Sequence, residues 1–173
     1  MPEKTFQAHI VGIFVALFSI STGCTSVDEL FQRDVTDLGR KLPPTARVVV
    51  PKFTMHAINK STRHKDFNSQ NVSLFLAEGL RDQIEHEFVQ KAGVKVVSRE
   101  VFNQIEEELA HGQTVIVDTA TAAKFGKAAG ATHIALGKGN ITLRNWSVEI
   151  DYSVKLIDVQ TLEIVGVIQR EGL

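Results

Sequence analysis

The chain holds one cysteine, six histidines and 20 acidic residues, and their spacing offers little that could react. A lone cysteine forms neither an internal disulfide nor a cysteine-based zinc site. His86 stands between Glu85 and Glu87 but has no second histidine four residues on, so it is not a metalloprotease helix. His56 and His64 fall in one polar stretch, and His111 and His133 have no partner nearby in sequence. Glu106-Glu107-Glu108 reads as the solvated side of a helix. Gly137-Lys138-Gly139 lacks the P-loop spacing and the Ser/Thr that must follow the lysine, and reads as a turn at a strand end. No Ser or Cys stands with a paired base. The expectation is a non-enzyme with no catalytic residue, no metal and no cofactor, which leaves Cys24 as the one position with assignable chemistry.

That cysteine follows an apolar run, Ile10 to Ile20, of 11 residues without a charge. A membrane-spanning helix needs about 20 residues, whereas the core of a cleaved signal peptide needs roughly 7–15. Small residues, Ser21-Thr22-Gly23, lead from the run to Cys24. The arrangement resembles the lipobox of bacterial lipoproteins, with Thr22, Gly23 and Cys24 matching and Ser21 standing where leucine is usual. The resemblance implies a signal peptide over residues 1–23 and acylation of Cys24 as the mature N-terminus. Thr25, where an inner-membrane retention signal would be Asp, leans towards the outer membrane. Acyl chains at about 0.8 kcal/mol per buried CH₂ hold such a domain on a membrane stably.

The charge balance, 19 cationic against 20 anionic residues for a net −1, creates no global basic field. Generic nucleic-acid binding is therefore not favoured. Residues 24–46 read as a tether that could hold a short amphipathic helix on Val27, Leu30, Phe31, Val35 and Leu38 before Pro43-Pro44. Such a stretch, extended, would reach about 75 Å. A folded domain is expected from Arg47 to residue 173, opening on a strand through Phe53. Residues 54–68 read as a polar loop whose Lys60, Arg63, His64 and Lys65 could contact an acidic partner, anionic head groups or glycans. Apolar residues three and four apart predict a helix from Ser69 to Gln90 with Gly93 just past its end. Val94 to Val97 predict a strand, and Ser98 could cap a helix over 99–110 with Val101, Phe102, Ile105 and Leu109 on its apolar face. A further helix is expected over 119–129, then a strand from Thr132 to Leu136. The strict alternation from Trp146 to Leu156 and the return from Leu162 to Gln169 make a long antiparallel hairpin. The fold class is therefore α/β: a mixed sheet flanked by helices, ending in a long antiparallel hairpin.

Particular stretches within residues 47–170 resemble the CsgG/LpoB/FlgO group of bacterial envelope lipoproteins. They are Val48 to Phe53, then Leu76-Ala77-Glu78-Gly79-Leu80 leading to Val96-Val97-Ser98-Arg99. Ala123 to Gly137 matches an A-x-x-G-x-x-x-G-A pattern, and Val154 to Val165 matches one in which glycine is commonest at the place of Leu162. The resemblance implies a periplasmic adaptor or activator domain that acts by contact with an envelope protein, anchored on the outer membrane through Cys24. A subunit of a CsgG-type secretion channel is an alternative. Membrane strands need roughly 9–11 alternating residues, and the 54–68 segment is too short and polar for a hairpin of them. Glu149, Asp151 and Lys155 line one face of the final hairpin. A ligand-binding domain with a deep polar pocket is a third reading, and self-association into a homo-oligomer stays open.

Overall fold

The computed structural model describes residues 27–62, 68–110 and 119–171. The signal segment, Cys24, Arg63, His64, Lys65 and the stretch 111–118 lie outside the described residues. In chain order the elements are α1 (Val27–Arg40), β1 (Arg47–Val49), β2 (Thr54–Asn59), α2 (Ser69–Gln90), β3 (Lys95–Val96), α3 (Arg99–Ala110), α4 (Thr119–Ala128), β4 (His133–Leu143), β5 (Val148–Asp158) and β6 (Ile164–Arg170). The strand order is β3-β1-β4-β5-β6, with β2 also paired to β4. The β1–β3, β1–β4 and β2–β4 pairs are parallel, and β4–β5 and β5–β6 are antiparallel. The mixed sheet and the closing hairpin are as the alternation of residue types predicts.

Alternate residues of the central strands feed two cores, so the domain has three layers. Val48, Ala135, Val154 and Leu156 pack with Phe31, Val35 and Leu38 of α1 and with Leu76, Ile84 and Phe88 of α2. Val49, Ile134 and Val159 pack on the opposite face with Phe102 of α3 and Ala122 and Phe125 of α4. Period-two strands buried on both faces need helices on both faces.

α2 has the bounds its periodicity predicts. The Asn68 side chain accepts from the N–H of Asn71 at the start. At the end the Val94 N–H reaches the Phe88 carbonyl at 2.8 Å. Gly93, at φ +68°, makes that reversal because a glycine enters the left-handed region without steric cost. Ser98 caps α3 weakly, its hydroxyl 3.4 Å from the Val101 nitrogen. Phe102 is buried, but Val101 is exposed rather than on the apolar face.

Three expectations are corrected. Residues 27–46 are not a free tether: α1 is docked, and its Phe31, Val35 and Leu38 are buried in the first core. The folded unit therefore starts by Val27 and not at Arg47. Glu87, itself buried, holds the helix in place by accepting from the Thr36 hydroxyl at 2.8 Å while pairing with Lys91 at 3.1 Å. A buried carboxylate needs such partners to offset its lost hydration. The second correction concerns residues 54–59, which form β2 in register with Lys138–Leu143 of β4 rather than part of a loop. Met55 and Ala57 turn inward while His56 stays exposed, and the ladder compensates for weak intrinsic strand propensity. The third is Gly137-Lys138-Gly139, which lies inside the 11-residue β4 and not at its end. The Phe53 ring fills the space a Gly137 Cβ would need, and the Asp151 carbonyl and Met55 crowd Gly139 in the same way. Glycine within a strand marks such close approach.

Asp158 builds the β5–β6 turn by accepting from the N–H groups of Gln160 and Thr161 at 2.7 and 2.9 Å. Leu162 closes it at φ +62°, a strained region for a residue with a Cβ.

Two predictions follow from these packings. Phe31→Ala should cost about 3–4 kcal/mol in urea unfolding, as deletion of a buried aromatic does, whereas a free tether would leave stability unchanged. Leu162→Gly should raise stability by roughly 1 kcal/mol by relieving the left-handed strain, read as a higher midpoint with the same denaturant slope.

Candidate functional site

Lys60 is the one member of the expected basic loop within the described residues. Its N–H donates to the Leu143 carbonyl at 2.8 Å, which places it at the end of the sheet where β4 turns into β5. That end is built by short polar contacts. The Asn145 side-chain oxygen accepts from the Ser61 hydroxyl, the Thr62 N–H and the Thr62 hydroxyl at 3.1, 2.8 and 3.2 Å. Arg144 grips Glu149 through two bonds of 2.6 and 3.0 Å. The hydrogen bonds from Arg144, more than the Coulomb attractions of Arg144 and Lys60, hold the Glu149 carboxyl below its usual range. Trp146 stands at the tip, 80% exposed, and Ile58 lies 45% exposed on the neighbouring strand end. The alternation had placed Trp146 in a strand, but β5 begins at Val148.

A second polar group ties α2 to the start of α3. Arg99 meets Glu85 at 2.8 Å and Glu78 at 3.9 Å, and also pairs with Asp82. The nearly buried Arg81 shares Glu85 at 3.1 Å, and Lys52 reaches Glu78 at 3.6 Å. Hydrogen bonding to Glu85 leads the raising of the Arg99 pKa, so the guanidinium is permanently charged. Arg99 lies in the Val96-Val97-Ser98-Arg99 stretch of the family resemblance; here it anchors two helices.

His133, expected to lack a partner nearby in sequence, is buried at the start of β4 beside Thr132, the residue just before it. Its Nδ1 lies 2.8 Å from the Thr132 hydroxyl and its Nε2 3.9 Å from Asp158. Burial lowers its pKa and the Asp158 charge opposes this only in part.

These groups do not converge on a reaction centre. Among the described residues no cluster of His, Cys, Asp and Glu could hold a metal ion. Two concavities among the described residues are open. One, of about 640 Å³, is lined by Arg47, Val89, Val94 and Lys95 beside β3, and one of about 340 Å³ lies along α1 and β6. Neither is the deep polar pocket of a ligand-binding domain. No helix of the described residues is long and apolar enough to cross a membrane.

The fold is that of a three-layer α/β/α domain whose described surface mixes paired charges with exposed apolar side chains such as Phe75, Trp146 and Val167. Residues 68–165 match the family model described as peptidoglycan-synthase activator LpoB. That is more than half of the 173 residues, and the chain belongs to the LpoB family. Members of that family are activators rather than enzymes. No curated protein is recognisably similar in sequence. Among solved structures, the LpoB C-terminal domain from Salmonella enterica is similar at 12% identity and a TM-score of 0.58, covering 81% of this chain and 93% of that one. The corresponding domain from Escherichia coli gives 12% and 0.54, covering 80% and 95%. The NMR structure of E. coli LpoB gives 15% and 0.55, covering 82% of this chain and 64% of that longer one, just under two thirds. At these identities the likeness shows the fold.

The depressed His133 pKa carries a sign. The unfolded state takes up a proton near pH 6.5 and the folded state only at lower pH. Stability from this group is therefore full above pH 6.5 and falls as the pH drops through it. His133→Gln should flatten the stability profile between about pH 7 and 5, measured by urea unfolding at each pH.

Proposed function

We propose that this protein is a lipoprotein acylated at Cys24, held on the outer membrane facing the periplasm, that binds a peptidoglycan synthase and raises its activity. The family match over residues 68–165 carries the reading. The small residues before Cys24 and the apolar run before them support the anchor. The near-neutral charge supports recognition of the partner by local shape and paired groups rather than by a long-range field. The segment of Lys60, Arg63, His64 and Lys65 is in this reading a region for contact with anionic groups of the envelope, and Lys60 adjoins Leu143 at the end of the sheet.

Purified protein should bind a peptidoglycan synthase of its own bacterium and increase its rate of glycan polymerisation. Absence of both binding and stimulation with every synthase of that organism overturns the reading. Cys24→Ala should leave an unacylated, uncleaved precursor, read as loss of acyl-chain labelling and of the processed form; a variant that matures normally and stays membrane-bound overturns the anchor. A detergent-extracted ring with a lumen in negative stain would instead favour the secretion channel.

A further inference from the structure

α1 points its first residue towards the end of the sheet that carries Trp146. Three contacts fix this direction. Leu38 sits over Gly166, filling the space a Cβ would take there. Asp34 pairs with Arg170. The Phe31 ring lies edge-on to Tyr152 with centroids 5.0 Å apart. Tyr152 is itself the cross-strand partner of Arg170, as Leu156 is of Gly166. α1 thus runs antiparallel to β6 and alongside β5 in the same sense, with Phe31 level with Tyr152.

The remaining distance is short. Four helical residues at about 1.5 Å each place Val27 roughly 6 Å beyond Phe31. That equals two strand residues at about 3.3 Å, the level of Ile150. Cys24 precedes Val27 by three residues, which span at most about 10 Å. In this direction Cys24 therefore reaches no further than about the level of Ser147, and Trp146 stands at or beyond it. A lipid anchor on Cys24 brings the tip to the bilayer surface with it.

The tip has the chemistry for that place. Trp146 is 80% exposed and Ile58 is 45% exposed. Ile58 reaches this end because Asn59 pairs with Leu143 and the Lys60 N–H donates to the same residue's carbonyl. Lys60 and Arg144 flank them, with Glu149 the facing carboxylate. Indole rings favour the membrane interface, where the ring is buried among head groups. Lysine and arginine lay their stems along apolar surface and keep the charge at phosphate level.

We propose that the β4–β5 tip, with Trp146 and Ile58 as apolar contacts and Lys60 and Arg144 at their rim, rests in the head-group layer of the membrane that holds the anchor. The proposal rests on the acylation of Cys24 inferred above. The domain is then seated on the lipid surface in one orientation, with the C-terminal end of α2 turned towards the periplasm.

Trp146 is the only tryptophan, so its native fluorescence reads this contact without substitution. The acylated protein is reconstituted into vesicles of phosphatidylethanolamine and phosphatidylglycerol and compared with the same protein in detergent-free buffer after Cys24→Ala. The expected result is a blue shift of Trp146 emission in the vesicle-bound protein and a loss of intensity when the lipids carry bromine on their acyl chains near the head group. Protein that floats with the vesicles but shows neither change overturns the tip contact while the anchor stands. Emission that changes only when a peptidoglycan synthase is added also overturns it and assigns the tip to the protein partner. Cys24 found without acyl chains, in protein that does not float, overturns both readings.

Discussion

The Phe53 ring lies where a side chain at position 137 would have to be, and the sheet is organised around that contact. β4 has β5 along the whole of one edge and must share its other edge between β1, at His133 and Ile134, and β2, from Lys138 onward. The chain passes from β1 to β2 along that same edge through Val50–Phe53, and the Phe53 ring is laid over β4 at Gly137. Only a residue without a Cβ leaves room there. Once β4 is continuous, its alternate residues, Ile134 against Ala135, divide the interior into the two cores that bind the helices. Both cores draw residues from this one strand.

The docking of α1 changes what the N-terminal part of the chain can do. A free stretch between Cys24 and Arg47 would let an anchored domain range widely. A helix packed by Phe31, Val35 and Leu38, with the Thr36 hydroxyl bound to the buried Glu87, removes that freedom. The entropy of ordering its 14 residues is offset by burial of its apolar face, since isolated helices of this length are marginal in water. On the proposed reading the anchor and the folded body are then nearly in contact, and the orientation of the body on the membrane becomes a property of the fold rather than of a linker.

The rest of the surface is consistent with an activator that works by contact. Its charged groups are engaged with one another: Arg99 with three carboxylates of α2, Arg144 with Glu149, Arg170 with Asp34. Exposed pairs of this kind contribute little to stability, at most about 1 kcal/mol each, but they fix the shape and polarity that a partner meets. The buried histidine is a structural group, joined to Thr132 and Asp158 at the base of the final hairpin.

Local pattern alone carried a good part of this protein. The bounds of α2, the buried face of α4 at Ala122 and Phe125 and the β5–β6 hairpin are written in runs of neighbouring residues. Helix periodicity, strand alternation and a signal-like apolar run are each complete within about 25 residues of chain. The tertiary structure decided what depends on residues far apart. β2 is a strand because β4 offers it a ladder, α1 is part of the body because α2, β5 and β6 offer it an apolar seat, and Gly137 lies within a strand because Phe53 comes to rest on it. Trp146 belongs to the tip for the same reason: the register of β4 on β5, not the alternation of its neighbours, ends the ladder at Val148. Non-local pairing supplies the energy in each case, and a window on the sequence contains only one of the two partners.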